Sequence, residues 1–176
     1  MLDSTPAKAR AFWPVLTLVY VADFITKQLA VMELSPAHVP HPVIGDFFRL
    51  TLAYNRGAAM GLSLGGYSRV GFALTAAVVL VVLAVVYRKT PASAKAPAIA
   101  LALIAAGALG NLTDRLRSSM GVVDFIDVGI GDARFYTFNI ADSAITCGAI
   151  LLASLSMKGD PESRTVTGKA QVQEEV

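Results

Sequence analysis

Four apolar runs, each about as long as a bilayer is thick, leave this chain few folds. A helix needs about 20 predominantly apolar residues to cross the hydrocarbon. Four segments of that kind are present: Ala11–Val31, Val70–Tyr87, Ala96–Thr113 and Phe138–Met157. The second and third carry no charge, the fourth carries only Asp142, and the first is interrupted by Asp23 and Lys27. Charged residues make up 16% of the chain, where a soluble domain carries roughly 25%. The shortfall is concentrated in blocks, so the reading is a polytopic, mainly α integral membrane protein and not a soluble domain with a rich core. Lys8 and Arg10 before the first run give it some likeness to a signal peptide. Its length, the lack of a small-residue cleavage site and the three further runs favour a span.

Basic residues set the orientation. Lys8 and Arg10 precede the first span. Arg88, Lys89 and Lys95 fill the connection between the second and third, and Lys158, Arg164 and Lys169 follow the fourth. All three segments are expected on the cytoplasmic side, with both termini. Residues 32–69 and 114–137 are then outside. The expected organisation is one four-span domain over 1–157 and a polar, disordered tail over 158–176. The outer segments differ in length and content, which argues against an inverted-repeat transporter. Cys147 is the single cysteine, so no internal disulfide forms and a cysteine-based metal site is disfavoured. No basic, aromatic-laced patch suggests nucleic acid.

Asp23 and Lys27 stand four apart, in the order that favours an ion pair on one helical face. Within a membrane such a pair faces protein. The favoured reading is structural, docking the first helix; a catalytic lysine is the sharper alternative. In "GDFFRLTLAYNRGAAMG", Phe48, Leu50, Leu52 and Tyr54 alternate with Arg49, Thr51 and Ala53 as in a strand. The run then breaks at Asn55, Gly57 and Gly61. Asn55 can donate and accept at once, as a peptide-binding groove requires. In "GALGNLTDRL", Asn111, Asp114 and Arg115 share one face at the outer end of the third helix, and Gly107, Ala108 and Gly110 let another helix approach closely.

Two aspartates stand out. Asp124 in "GVVDFIDV" has apolar neighbours on both sides, so desolvation is expected to raise its pKa; Asp127 beside "GIGDAR" is expected to be solvated. In "FNIADSAI", Asn139 and Asp142 begin the fourth span. N-capping explains one such residue, but not the gathering of Asn139, Asp142, Asn111, Arg115 and Asp124 at one membrane face. Two carboxylates about 3 Å apart share a proton. The ionised one activates water and the protonated one donates to a peptide carbonyl. On the residues alone, hydrolysis by such a pair and other uses of the aspartates stay open.

The set "DFITK", "YNRGAAMG", "GALGNLTDRL", "GVVDFIDV" and "FNIADSAI", in this order on four spans, resembles the bacterial lipoprotein signal peptidases, or signal peptidase II. The resemblance runs from about Asp23 to Ala144. It implies four transmembrane helices, a small extracytoplasmic β-like cradle containing "FFRLTLAY", and a short periplasmic loop or helix. It implies an aspartic endopeptidase of the bacterial inner membrane that cleaves diacylglyceryl-modified prolipoproteins before the lipidated cysteine, and that globomycin targets. Asp124 and Asp142 would be the dyad. Asn55, Gly57, Asn111, Arg115 and Asn139 would contact substrate, with Asp23, Lys27 and Asp114 as structural support. No cofactor or metal is implied. The partners would be the precursor and membrane lipids, and a monomer is expected because four spans can enclose one site. Two departures are visible: Met60 replaces an expected aromatic residue, and "RFYTFNIADS" lacks a proline common before the last motif. The rivals are a small transporter or proton channel using the aspartates as a relay, a serine–lysine peptidase built on Lys27, and a non-enzymatic scaffold.

Overall fold

A computed structural model describes residues 5–56, 58–59, 62–63 and 68–157, with the backbone alone at 58–59 and 62–63. Gly57, Met60, Gly61 and the tail from Lys158 lie outside the described residues. Among the described residues, four helices are long and apolar enough to span a membrane: α1 (Ala7–Glu33), α2 (Ser68–Lys89), α3 (Lys95–Arg117) and α4 (Ile140–Met157). More than half of the apolar stretch of α3 is buried, 56%, and none of that of α2. The reason is residue size. The inner faces of α3 are Ala98, Ala102, Ala105, Ala106, Gly107 and Gly110, which let the three other helices pack directly against it. In α2, bulky Val78, Val81 and Val82 are exposed. Lipid suits that surface; between helices, small residues drive association.

Between helices, close approach is tightest at Gly107. A methyl group there would overlap the Ala141 carbonyl oxygen and meet Ile145 of α4. At the other end of the bundle Lys8 donates to the carbonyls of Tyr87 (3.0 Å) and Thr90 (2.6 Å). These are among the carbonyls that the end of α2 leaves without helical partners. The start of α1 and the basic α2–α3 connection therefore lie together.

A four-stranded antiparallel sheet forms at the opposite end. Its strands are β1 (Pro40–Ile44), β2 (Phe48–Asn55), β5 (Val122–Ile130) and β6 (Ala133–Arg134), in the order β1-β2-β5-β6. A separate two-stranded piece pairs β3 (Ala58–Ala59) with β4 (Leu62–Ser63). Leu52, Val123 and Phe125 pack with Ala30 and Leu34, which fixes the sheet to the end of α1. The strand expected in "FFRLTLAY" is present, with a register shift between Leu50 and Ala53. The second outer segment differs from a simple loop, because "VVDFIDV" is itself a strand. Its backbone pairs with β2 through Ala53↔Asp124 and Tyr54↔Val123.

Asp127 corrects an expectation. It is buried, not solvated. Its carboxylate accepts from Thr51 Oγ1 at 2.9 Å and from Arg134 Nε at 2.6 Å. Strand pairing supplies both partners, one from each neighbouring strand. Arg134 also donates to the Asp46 carbonyl at 3.0 Å, and Asp46 accepts the Gly131 N–H, which ties the two hairpin turns together.

The Gly107 contact gives a stability prediction. Gly107→Ala forces α3 and α4 apart, and overpacking of this kind costs roughly 1–3 kcal/mol. Thermal unfolding of the purified protein in detergent should show a lowered midpoint.

Candidate active site

The site is built on a buried ammonium. Lys27 and Asp23 are each 1% exposed, one turn apart on α1. A lone charge in that position would be prohibitive, and Lys27 has three oxygen partners. Asp23 Oδ2 lies at 2.8 Å, Asp114 Oδ2 at 2.9 Å, and Asn111 Oδ1 accepts at 2.9 Å. Gly110 makes room on α3, since a side chain there would overlap the Asp23 carboxylate. The Asp23–Lys27 pair faces protein, between α1 and α3. No serine is among these partners of Lys27.

Each partner reaches onward. Asp23 Oδ1 accepts the Ala141 N–H at 2.9 Å, immediately before Asp142. Asp114 Oδ2 accepts the Val123 N–H at 3.2 Å, immediately before Asp124. Asn111, with its oxygen on the ammonium, turns its Nδ2 to Asp142 Oδ1 at 2.7 Å. The amide cannot flip without setting N–H donors against the ammonium.

Asn139 is fully buried and joins the two carboxylates. Its Nδ2 donates to Asp124 Oδ1 at 2.7 Å. Its Oδ1 accepts the Asp142 N–H at 2.9 Å, and its own N–H points to Asp142 Oδ2 at 3.3 Å. The last two bonds form a reciprocal cap at the start of α4. The expected N-cap is present, and the cap and the joining of the carboxylates use the same side chains. The segment before α4 is held on β5 by paired bonds between Phe138 and Ile126, at 2.8 and 3.0 Å.

Asp124 is buried among these groups and hydrogen-bonded by Asn139 and Asn55. Burial, then the like charge of Asp142, pushes its carboxyl up to about 7, against the bonds from Asn139 and Asn55 and the field of Lys27. Asp127, three residues on, points to the opposite face of the strand, so Asp124, Asp127 and Asp142 do not converge. Among the described residues no group of three or more His, Cys, Asp or Glu is arranged to hold a metal.

Asp124 and Asp142 open into one cavity of about 840 Å³, which Asn55 and Arg115 also line. Arg115 donates to the Asn111 carbonyl at 3.1 Å and lies over the Phe72 ring. Of the expected substrate contacts, Asn55 and Arg115 face the cavity. Asn111 and Asn139 are buried behind it and hold the carboxylates. Sequence reasoning missed part of the wall: Tyr54 and Arg56 on one side, the 135–138 segment on another, and Ser143, Thr146 and Cys147 below Asp142. Thr146 was findable, because it is four residues from Asp142 and so on its helical face. Arg69 was also missed. It donates to the Arg115 carbonyl at 2.6 Å and caps α3, a contact no local spacing reveals.

Residues 15–158 match the family model for signal peptidase (SPase) II. The chain is 40% identical to the lipoprotein signal peptidase of Streptomyces coelicolor over 168 residues, 91% of this chain and 78% of that protein. It is 42% identical to that of Teredinibacter turnerae over 153 residues, 86% and 89% of the two chains. A bacterial membrane enzyme solved by the in meso method at 2.3 Å superposes with a TM-score of 0.73 at 32% identity, covering 82% of this chain and 85% of that one. A second, solved at 1.9 Å, gives 0.72 at 32%, covering 83% and 92%. The four membrane helices, the small sheet and these matches agree: the chain belongs to the signal peptidase II family.

Proposed function

We propose that this multi-pass membrane protein removes signal peptides from lipoprotein precursors, with Asp124 and Asp142 as its catalytic pair. The observation that carries this is Asn139, whose backbone and side chain bond both carboxylates at the wall of one cavity. Membership of an aspartic peptidase family supports the same reading.

The protonation pattern assigns the roles. Asp124, with its raised pKa, carries the proton. Asp142 accepts N–H donors on both oxygens and serves as the base. A water between them gives its proton to Asp142 and attacks the scissile carbonyl carbon. Asp124 gives its proton to the carbonyl oxygen, forming a tetrahedral diol. Collapse of the diol breaks the C–N bond. The proton on Asp142 goes to the leaving nitrogen, and a diol hydroxyl returns its proton to Asp124. Asn55 and Arg115 are placed to bind the peptide backbone at the cavity mouth.

The sheet and the dyad lie at the end of the bundle opposite the basic α2–α3 connection. By the rule for basic residues, that end faces away from the cytoplasm, with both termini inside. The precursor's diacylglyceryl group would lie in lipid beside the exposed face of α4, where Thr146 and Cys147 continue the cavity. We assign the protein to the bacterial inner membrane and take it to act as a monomer on diacylglyceryl-modified precursors. A proton relay across the membrane is not favoured, because both acids open into the same cavity.

Cleavage of a lipidated precursor by purified variants tests the pair. Asp124→Asn and Asp142→Asn should each lose activity by roughly a thousandfold or more while still inserting and folding; near-wild-type turnover by either would end the assignment. A chelator should leave the wild-type rate unchanged.

The pH dependence has a definite sign. Asp124 is protonated below about 7 and loses its proton above it, so activity should fall as pH rises through that value. Stability follows the same group. The folded state holds a proton that the unfolded chain releases near 3.8, so the wild type should lose stability as pH rises from about 4 to about 7 and level off above. Asp124→Asn should lack that component, which unfolding midpoints across the range would show.

A further inference from the structure

Lys27 touches neither the cavity nor Asp124 or Asp142, yet every contact it makes leads to one of them. Through Asp114 it reaches the Val123 amide, next to Asp124. Through Asp23 it reaches the Ala141 amide, next to Asp142. Through Asn111 it reaches the Asp142 carboxylate itself. These routes run through three elements, α1, α3 and the start of α4, and converge on one strand and one helix cap. A pair that only docked α1 would need none of the onward bonds.

We propose that Lys27 is the positioning residue of the dyad, its ammonium holding Asp23, Asp114 and Asn111 so that Asp124 and Asp142 keep the separation and orientation at which they share a proton. The inference rests on the reading of those two aspartates as the catalytic pair. An ammonium suits the role because it presents three donors from one point. With Nζ pinned among three oxygens, the two backbone amides and the Asn111 side chain are set relative to a common origin. A misplacement of about 1 Å at a reacting group costs roughly a hundredfold in rate.

The electrostatic environment supplies a readout that docking alone would not move. Asp124 faces Asp142 from α4 and Asn139 just before it, Lys27 from α1 with Asp23 behind it, Asp114 and Arg115 from α3, and Asn55 from β2 with Arg56 just after it. Lys27 favours the ionised form of Asp124. Its removal should therefore move the alkaline limb of kcat/KM to higher pH.

The experiment is the pH profile of lipidated-precursor cleavage by the full chain in detergent, for wild type, Lys27→Met and Asp124→Asn. Lys27→Met should lower kcat by roughly a hundredfold, leave KM little changed, and shift the alkaline limb upward. The double variant Lys27→Met with Asp23→Asn covers the case in which Lys27→Met alone does not fold. It removes one charge of each sign, the amide oxygen still accepts from Ala141, and Asp23 is not among the groups that shift Asp124, so the same limb movement is expected. A folded variant of either kind with kcat near wild type, or with its limb unmoved, overturns the positioning role and leaves the dyad standing if Asp124→Asn is inactive. An active Asp124→Asn would instead remove the dyad, and the positioning role with it.

Discussion

One buried ammonium sets the terms for the rest of the structure. Lys27 lies among packed helices with 1% of its side chain exposed. A charge in that position is tolerable only when oxygen surrounds it. The oxygens come from α1 and α3, so the two helices cannot shift relative to each other without uncovering a charge. Breaking one partner of a buried pair typically costs 3–5 kcal/mol, more than most single apolar contacts supply. In lipid, where burial of apolar side chains adds little between helices, such a polar anchor and the close contact of Gly107 with α4 fix the bundle.

The same atoms that cap α4 also orient a carboxylate at the cavity. Asn139 and Asp142 form the cap that begins α4, and that cap also presents the Asp142 carboxylate to the cavity. The helix N-terminus favours negative charge there. Asp124 arrives by a different route, on a strand whose register is set by β2 and whose face is fixed by Leu52, Val123 and Phe125 packing on α1. A helix cap and a strand register have no reason to agree unless something spans them. Asn139 does so directly, and the bonds between Phe138 and Ile126 do so through the backbone.

Much of this was legible in the residues, for identifiable reasons. The four helices follow from apolar length alone. The strand in "FFRLTLAY" follows from alternation, and the close approach at Gly107 from small residues on α3. Asp124 and Asp142 stood out because acids flanked by apolar residues need an explanation. Other features depend on pairing between segments far apart in sequence. Asp127 looked solvated because its partners, Thr51 and Arg134, become neighbours only once β5 joins β2 and β6. The strand nature of "VVDFIDV" was hidden because both of its faces are covered, so it shows no alternation. Two of the three oxygens on Lys27 belong to α3, and no spacing within α1 could announce them. The placing of Asn111 and Asn139 behind the cavity also follows from helix packing, which motif order does not encode.

The raised pKa of Asp124 follows first from its burial and then from the like charge of Asp142. An ionised Asp124 would add a buried charge with Asp142 its close neighbour across Asn139. Burial makes that addition expensive, and the neighbouring charge adds to it, in the order seen at Asp124. The raised pKa is therefore a consequence of where the fold buries Asp124 as well as of the two acids' proximity. The lysine that anchors α1 opposes the effect only in part, and that balance leaves the Asp124 carboxyl at about 7.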